Sequence, residues 1–468
     1  MKRRNFIKSS ATAAASFSLI PSTVLGKTFG NIAPSDKVNL ACVGIGHRGG
    51  SVTCNLIESG LANPVAFCDV DMGAPQTHRV LGKYPDVPRF KDFREMFDKM
   101  GGEIDAVSVA TPDFSHFPIT MLAMSMGIHV YVEKPMARTF NEVELMIKGA
   151  EKYKVVTQMG NQGHSGAGYY QFKAWKDAGI IKDITAITAN HCGDRRWHGF
   201  DPKMTKFPEA EKIPESLDWD TWLATANQHD YNKDFIDGQW RCWYDFGMGA
   251  LGDWGAHIID SAHEFLELGL PYEIDPVKLE GHNPFFFPKA STLAFKFPKR
   301  GDMPPVKLTW YDGIGNFPPK PEGFGEIPID TKAPQPTDGS EPPRKFPTGK
   351  ILYGKNLTFR GGSKESLLEI IPKERVIEME ASLPQVPETT SDHYANFLLA
   401  CMGKEKSRSS FDVAGPLSQV FNLGVLAQRL NTKLSFDRET KQITNNPLAN
   451  MLLTGAQPRK GWEEYYKL

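Results

Sequence analysis

Three short stretches carry residues whose types and spacing can do chemistry. The first is Gly44-Ile45-Gly46-His47-Arg48-Gly49, a G-x-G-x-x-G. Gly44 permits a tight turn, Gly46 lets backbone approach a pyrophosphate, and Gly49 lets the next helix pack on the preceding strand. That helix N-terminus then offers free N–H groups and a positive dipole end to phosphate. Asp69 stands twenty residues beyond Gly49, where a dinucleotide fold keeps the acid that binds ribose. A carboxylate with no arginine directly after it repels a 2′-phosphate, so the expected cofactor is NAD, with NADP disfavoured. Arg48 is either a phosphate contact or a solvated charge.

The second stretch is Glu133-Lys134-Pro135, directly after the apolar run Ile128 to Val132. Pro135 fixes the local backbone and biases Lys134 towards an extended conformation. A lysine at that strand end, beside the expected nicotinamide position, can bond a substrate hydroxyl and stabilise negative charge developing on its oxygen. The bland alternative is a surface Lys–Glu pair. The third stretch runs from Gly247 to His257 and sets Asp253 and His257 four residues apart on one helix face. A histidine can take a hydroxyl proton near neutral pH, and a carboxylate can orient it and stabilise imidazolium. Asp260, one turn on, is either a further member or a helix-face charge. Arg195, Arg196, Trp197, Trp240, Arg241, Trp243 and Tyr244 form an arginine/aromatic set. Aromatic faces against C–H surfaces and charged partners for hydroxyls suit a sugar; a core or interface cluster explains the same residues.

These residues need elements to hold them. Val38 to Val43 reads as a buried strand, with a helix from about Ser51 to Gly60 and a second strand over Pro64 to Val70. Helical spacing follows at 74–83 and at Phe93 to Met100, and a strand over Ile104 to Ala110 leads into Thr111-Pro112-Asp113. Helix Phe117 to Met126, strand Ile128 to Val132, helix Asn141 to Tyr153 and strand Val155 to Met159 continue the alternation. That rhythm predicts a doubly wound parallel sheet, an α/β Rossmann domain with its ligand beyond the carboxyl ends of the strands. After about Gly160 the pattern changes. A helix over Tyr170 to Ala178, a strand over Ile184 to Asn190, and a helix over Gly249 to Leu268 are followed by strands at 277–281, 291–297, 306–311, 351–359 and 367–371. Helices near 391–402 and 416–429 follow, and Phe317 to Lys350 reads as a long proline- and glycine-rich loop. An α+β domain with an open, mostly antiparallel sheet is expected. The domain reading is 37–160 for the NAD-binding unit, 161–445 for the substrate and oligomerisation unit, and 446–468 for a C-terminal segment.

The chain of 468 residues has room for such domains, and 40% hydrophobic with 23% charged residues marks a soluble globular protein. A net charge of −1 supplies no basic field for nucleic acid. None of the six cysteines stands in C-x-x-C spacing, so neither zinc nor a redox pair is indicated, and no metal is expected. Residues 1–26 read as a leader: Lys2-Arg3-Arg4-Asn5-Phe6-Ile7-Lys8 precedes a short, mildly apolar run rich in alanine and serine. The paired arginines resemble the twin-arginine export signal, which implies a periplasmic or exported protein with no membrane span in the mature chain. An ordinary secretory signal or an uncleaved anchor would share these features.

Together the dinucleotide motif, Thr111-Pro112, Glu133-Lys134-Pro135 and Asp253-x-x-x-His257 resemble the Gfo/Idh/MocA family, named after glucose–fructose oxidoreductase and inositol dehydrogenase. The similarity spans nearly the whole mature chain. It implies a Rossmann domain followed by an α+β domain whose open sheet faces the nicotinamide. It also implies that Lys134, Asp253 and His257 assist hydride transfer between a sugar carbinol and NAD(P). Thr111, Pro112 and His116 resemble the family's cofactor-side loop after the fourth strand, with Glu133 beside them, and Gln162 resembles the loop after the sixth. Arg196, Trp197, Trp240, Arg241 and Tyr244 are expected on the substrate. Sheet-to-sheet association in the family implies a homo-oligomer. The long aromatic passage and the insertion Phe317 to Lys350 exceed the minimal family pattern. Two classes of function stay open: an exported NAD enzyme acting on a sugar or glycoside by oxidation, epimerisation or glycosidic cleavage, and a family member that only binds a ligand.

Overall fold

A computed structural model describes residues 34–468, apart from 194–198, 200, 332–335, 337–339, 380–381 and 389–390. The expected leader, 1–26, lies outside the described residues. Six strands build the first sheet: β1 (Val38–Val43), β2 (Ala62–Cys68), β3 (Arg89–Phe90), β4 (Ala106–Val109), β5 (His129–Val132) and β6 (Thr157–Met159). Their order is β3-β2-β1-β4-β5-β6, all parallel. β1 sits in the middle, and Leu40, Ala41 and Cys42 are fully buried, as a strand covered on both faces requires. Register sets Val43 beside Cys68 on one side and Val109 on the other, so Gly44, Asp69 and Thr111 emerge together.

The second sheet has nine strands: β7 (Ile184–His191), β8 (Glu273–Glu280), β9 (Ala290–Phe297), β10 (Val306–Asp312), β11 (Gly349–Gly354), β12 (Thr358–Gly361), β13 (Leu368–Ile371), β14 (Leu434–Asp437) and β15 (Gln442–Ile443). They run in the order β13-β12-β11-β7-β10-β9-β8-β14-β15. Only β7 and β10 pair in parallel; every other pairing is antiparallel. The described part of the insertion packs its stacked Phe324 and Phe346 against Ile351 and Cys192 of this sheet. None of its residues lines the large cleft between the domains.

Some elements differ from the sequence reading. The stretch 351–359 is a hairpin, because Gly354 N–H donates to Leu357 O and the chain turns at Gly354-Lys355-Asn356. The 249–268 helix divides into Gly249–Ile258 and Asp260–Phe265. The helix expected from Pro416 instead spans Phe411–Leu430, its start held where Phe411 N–H donates to Thr157 Oγ1. The division at residue 160 follows the chain rather than the packing. Phe397 and Leu398 of helix His393–Cys401 are buried with Val38, Leu40 and Tyr131 of the first domain. At the C-terminus, Trp462 packs on Phe93 and Tyr466 on Phe117, and the Tyr466 hydroxyl donates to Glu142.

Candidate active site

The glycine loop is built by exclusion. Gly44 has φ 79°, and a Cβ on it would lie 2.7 Å from the Ala110 carbonyl oxygen. A Cβ on Gly49 would sit on the Gly44 carbonyl. Asp69 closes the loop: its Oδ2 accepts from Ile45 N–H at 2.9 Å and its Oδ1 from Asp71 N–H at 3.1 Å. Burial pushes this carboxyl up, and those N–H bonds pull it back. Asp71, which the sequence reading missed, lines the same cleft with a buried Oδ1 that has no hydrogen-bond partner among the described residues. That orphaned acceptor and the empty space above the two glycines suit an adenosine ribose and a pyrophosphate.

Lys134 leaves the end of β5, 8% exposed, and its Nζ donates to Asp253 Oδ1 at 2.7 Å and to Asp253 O at 2.6 Å. This corrects the expected pairing. Helix Gly249–Ile258 does put Asp253 and His257 on one face, but the ammonium from the other domain takes the carboxylate. A charge-assisted bond outcompetes one to a neutral ring. Arg241 Nε stands 3.6 Å from the same oxygen. Burial presses the Lys134 ammonium below its ordinary value while Asp253 works the other way. His257 is held well below the ordinary histidine value, first by burial and then by the Lys134 charge, so its ring is neutral. Its Nδ1 is buried without a hydrogen-bond partner among the described residues.

Arg48 lines the cleft with its side chain exposed, and it is tied down at its guanidinium. Its Nε and one terminal nitrogen donate to Glu133 Oε1 at 3.2 and 3.1 Å, and it also donates to the Tyr394 hydroxyl at 2.9 Å. The buried carboxylate captures it. Gln162 Nε2 donates to the same Glu133 oxygen at 3.0 Å. His116 is buried, with ring nitrogens 2.9 Å from the Thr111 and Pro135 carbonyls, and burial lowers it to about 4. It ties the loop after β4 to the loop after β5. Thr111, Pro112 and His116 all line the cleft, and the Thr111 hydroxyl is buried without a partner among the described residues.

From the second domain, Trp240 and Arg241 reach the cleft, with the guanidinium carbon 4.0 Å from the Trp240 ring. Tyr244, expected on the substrate, is in the core instead: its ring packs 4.2 Å from Phe287, with Arg429 on it. Trp243 is buried too, donating to Asp234 O at 2.8 Å. Both have the composition of a sugar site, and both are packed in the core. Arg195, Arg196 and Trp197 lie outside the described residues. Asp260 pairs with buried His164 at 2.8 Å, away from the cleft. Among the wall residues missed are Trp254, stacked on His191 at 4.2 Å, and Lys364 from the β12–β13 turn. Trp254 stands between Asp253 and His257 in the stretch already singled out, while Lys364 belongs to no motif.

These groups line one cleft of about 540 Å³, within the range of small-molecule sites. Second-domain residues 217–241 form one of its walls. That wall is bonded to the Rossmann side: Asp218 N–H donates to Val70 O at 2.9 Å, Lys91 Nζ to Ser216 O at 2.9 Å, and Gln76 Nε2 to Asp237 Oδ1 at 2.7 Å.

A dinucleotide fold whose cleft carries a buried lysine–carboxylate pair and a neutral histidine defines an NAD-binding oxidoreductase. Residues 38–161 match the family described as "Oxidoreductase family, NAD-binding Rossmann fold", and residues 173–287 match its "C-terminal alpha/beta domain". Together the matches cover about half the chain, which belongs to the Gfo/Idh/MocA oxidoreductase family. Among curated proteins it is similar to "Glycosyl hydrolase family 109 protein 2" of Shewanella sp. (strain ANA-3), 27% identical over 169 residues, 32% of this chain and 37% of that protein. A glycosyl hydrolase family 109 protein of Stenotrophomonas maltophilia is 34% identical over 142 residues, 28% of this chain and 29% of that protein. The chain thus matches little more than a third of these relatives' length. Among solved structures, the WlbA dehydrogenase of Chromobacterium violaceum, in complex with NADH and UDP-GlcNAcA, superposes with a TM-score of 0.56 at 14% identity, covering 86% of this chain and 96% of that one. Aldose-aldose oxidoreductase from Caulobacter crescentus gives 0.52 at 14% identity, covering 86% and 100%. At that identity the likeness is one of fold.

Proposed function

We propose that this chain is an exported enzyme that acts on a hydroxyl of a sugar or glycoside and retains its NAD through a redox-neutral cycle. The observation that carries the chemistry is the Lys134–Asp253 pair at 2.7 Å beside a neutral, cleft-lining His257. Bound NAD supplies the hydride acceptor and donor. Gly44, Gly46 and Gly49 would cradle its pyrophosphate, and Asp69 with Asp71 its adenosine ribose, where two carboxylates disfavour a 2′-phosphate. His257 takes the substrate hydroxyl proton. Lys134, kept charged by Asp253, holds the oxygen as it becomes a carbonyl. Trp240 and Arg241 border the ring.

Retention is supported by the wall 217–241, bonded to the Rossmann side along the cleft. It fits the twin-arginine-like leader, since that pathway exports folded, cofactor-loaded proteins. A retained cofactor must give its hydride back before the next turnover. Once a ring carbon is a carbonyl, the neighbouring C–H is acidic and a base such as His257 can remove its proton. Elimination of the protonated leaving group then leaves an unsaturated ketone. Addition of water followed by return of the hydride to the carbonyl completes cleavage of a glycoside, a reading favoured by the similarity to proteins named as glycosyl hydrolases of family 109. Reprotonation or reduction from the other face gives an epimer, and a second sugar can also take the hydride. Association through the large sheet into a homo-oligomer belongs to the same proposal.

The experiment is to purify the mature chain, add no free NAD, and follow sugars and aryl glycosides over many turnovers. Sustained conversion supports the closed cycle. Arrest after one equivalent, relieved by added NAD, leaves an ordinary dehydrogenase.

A further inference from the structure

The substrate end of the cleft has more positive charge than its carboxylates balance. Arg48 and Glu133 neutralise each other at 3.1 Å, and Lys134 is matched by Asp253 at 2.7 Å. Arg241 reaches only that same Asp253, at 3.6 Å. Lys364 makes no ion pair or side-chain hydrogen bond among the described residues; its Nζ stands 6.0 Å from the Trp254 ring. The small cavity behind His257, which Lys364 also lines, does not offset this, because its Asp260 pairs with His164 at 2.8 Å and Lys350 is buried alongside. Among the described residues, Arg241 and the exposed Lys364 therefore line the cleft without a carboxylate of their own.

Lys364 is rigidly mounted. Its backbone N–H donates to the His257 carbonyl at 2.7 Å, which fastens the β12–β13 turn to the helix that carries the catalytic histidine. A Cβ on Gly163 would fall 2.8 Å from Lys364 Cα, so the turn is pressed against the loop after β6 as well. Its φ of 56° lies in the left-handed region, which disfavours any residue with a Cβ. A cation fixed to the same helix as the base, above an aromatic ring, is placed to read one substituent of a sugar held at His257.

We infer that the substrate is an acidic sugar, one bearing a carboxylate or a phosphate ester, and that Lys364 together with Arg241 recognises that oxyanion. The inference rests on the sugar reading above and narrows it. An anion at this position pairs with Lys364, whose side chain is exposed, and with Arg241, whose side chain is 20% exposed and therefore less screened than a charge at an open surface.

The test uses NAD-loaded mature protein and matched sets of hexose, hexuronate and hexose 6-phosphate, free and as methyl glycosides, in the gluco, galacto and manno series. An acidic member should exceed its neutral counterpart in kcat/KM by about tenfold or more, and the ratio should shrink as salt rises. Which acidic arm wins tells carboxylate from phosphate. Lys364→Gly removes the cation at a backbone position that suits glycine, so the fold is kept. It should cut the acidic-to-neutral ratio about tenfold, mostly through KM, and Lys364→Arg should restore much of it. Neutral sugars turned over as well as acidic ones, or a ratio unmoved by Lys364→Gly, would overturn the inference and leave the sugar reading standing. If no sugar of any charge reacts while NAD is bound, the two fall together.

Discussion

At the dinucleotide end of the cleft, the groups that shape it lie between Gly44 and Asp71, and most act through backbone: two glycines that admit no Cβ, and one carboxylate that accepts main-chain N–H groups. At the substrate end, Lys134, Arg241, Asp253, His257 and Lys364 come from separated segments and act through polar side chains, most of them charged. The first end is constrained by shape and tolerates no added atom. The second is constrained by charge balance, and removing one partner alters the state of the others. Cofactor binding and chemistry should therefore fail separately, and in different ways.

The largest expected effect lies at the charged end. His257→Ala and Lys134→Ala should each lower turnover about 100-fold or more with NAD content intact. Turnover assays alongside cofactor extraction decide this, and normal turnover in either variant would break the site as drawn. Asp253→Asn removes the counter-charge of Lys134 and should do less damage than Lys134→Ala. At the shape-constrained end the pattern should invert. Gly49→Ala forces a methyl onto the Gly44 carbonyl, a strain of about 1–3 kcal/mol. NAD should be lost on purification, while excess NAD restores part of the rate. Equal NAD content in wild type and variant would show that the loop can give way.

A smaller effect separates the two carboxylates of the ribose site. Asp69→Ala should weaken NAD more than NADP, by about 1–3 kcal/mol, with an added loosening of the loop because Ile45 N–H loses its acceptor. Asp71→Ala should narrow the NAD-over-NADP preference without that loosening. Titrations of apoprotein with both nucleotides measure it. A greater loss for NADP in either variant contradicts the assignment.

The smallest effect is a shift in pH dependence. A base must be neutral to act, and activity falls as pH drops through its pKa. His257 is held well below its ordinary value by burial and then by Lys134, so the acid limb of kcat/KM should lie below about 6.5. Lys364 adds to that depression, and Lys364→Gly should move the limb upward. A limb at or above the ordinary histidine value would show that the base is another group.

The contrast between the ends also explains what could be read from the sequence. Glycine spacing and an acid at a strand end are local signals, so Gly44, Gly49 and Asp69 were legible with the parallel sheet that holds them. Lys134 and His257 were legible because one sits in Glu-Lys-Pro at a strand end and the other in Asp-x-x-x-His on one helix, although the structure puts His257 in that helix's last turn and not at its start. Their partners were not. Asp253 lies one helical turn from His257, yet only the fold brings Lys134 to it. Arg48 carries no sign in the chain that Glu133 will capture it. Lys364 has no motif, Trp254 sits unmarked between Asp253 and His257, and Tyr244 has the right composition but is buried. The hairpin within 351–359 carries its turn signal in Gly354-Lys355-Asn356, which a reading of the stretch as one strand passes over.

The central claim is that Lys134 and His257 work on a sugar hydroxyl over a bound nicotinamide. The direct measurement is to mix NAD-loaded protein with the sugar panel and record the absorbance of reduced nicotinamide, for wild type and His257→Ala side by side. The account predicts a rapid rise with at least one sugar in the wild type and a rise about 100-fold slower in the variant. Unchanged absorbance with every sugar while NAD stays bound, or equal rates in the two proteins, would contradict it and favour a chain that binds its ligand without acting on it.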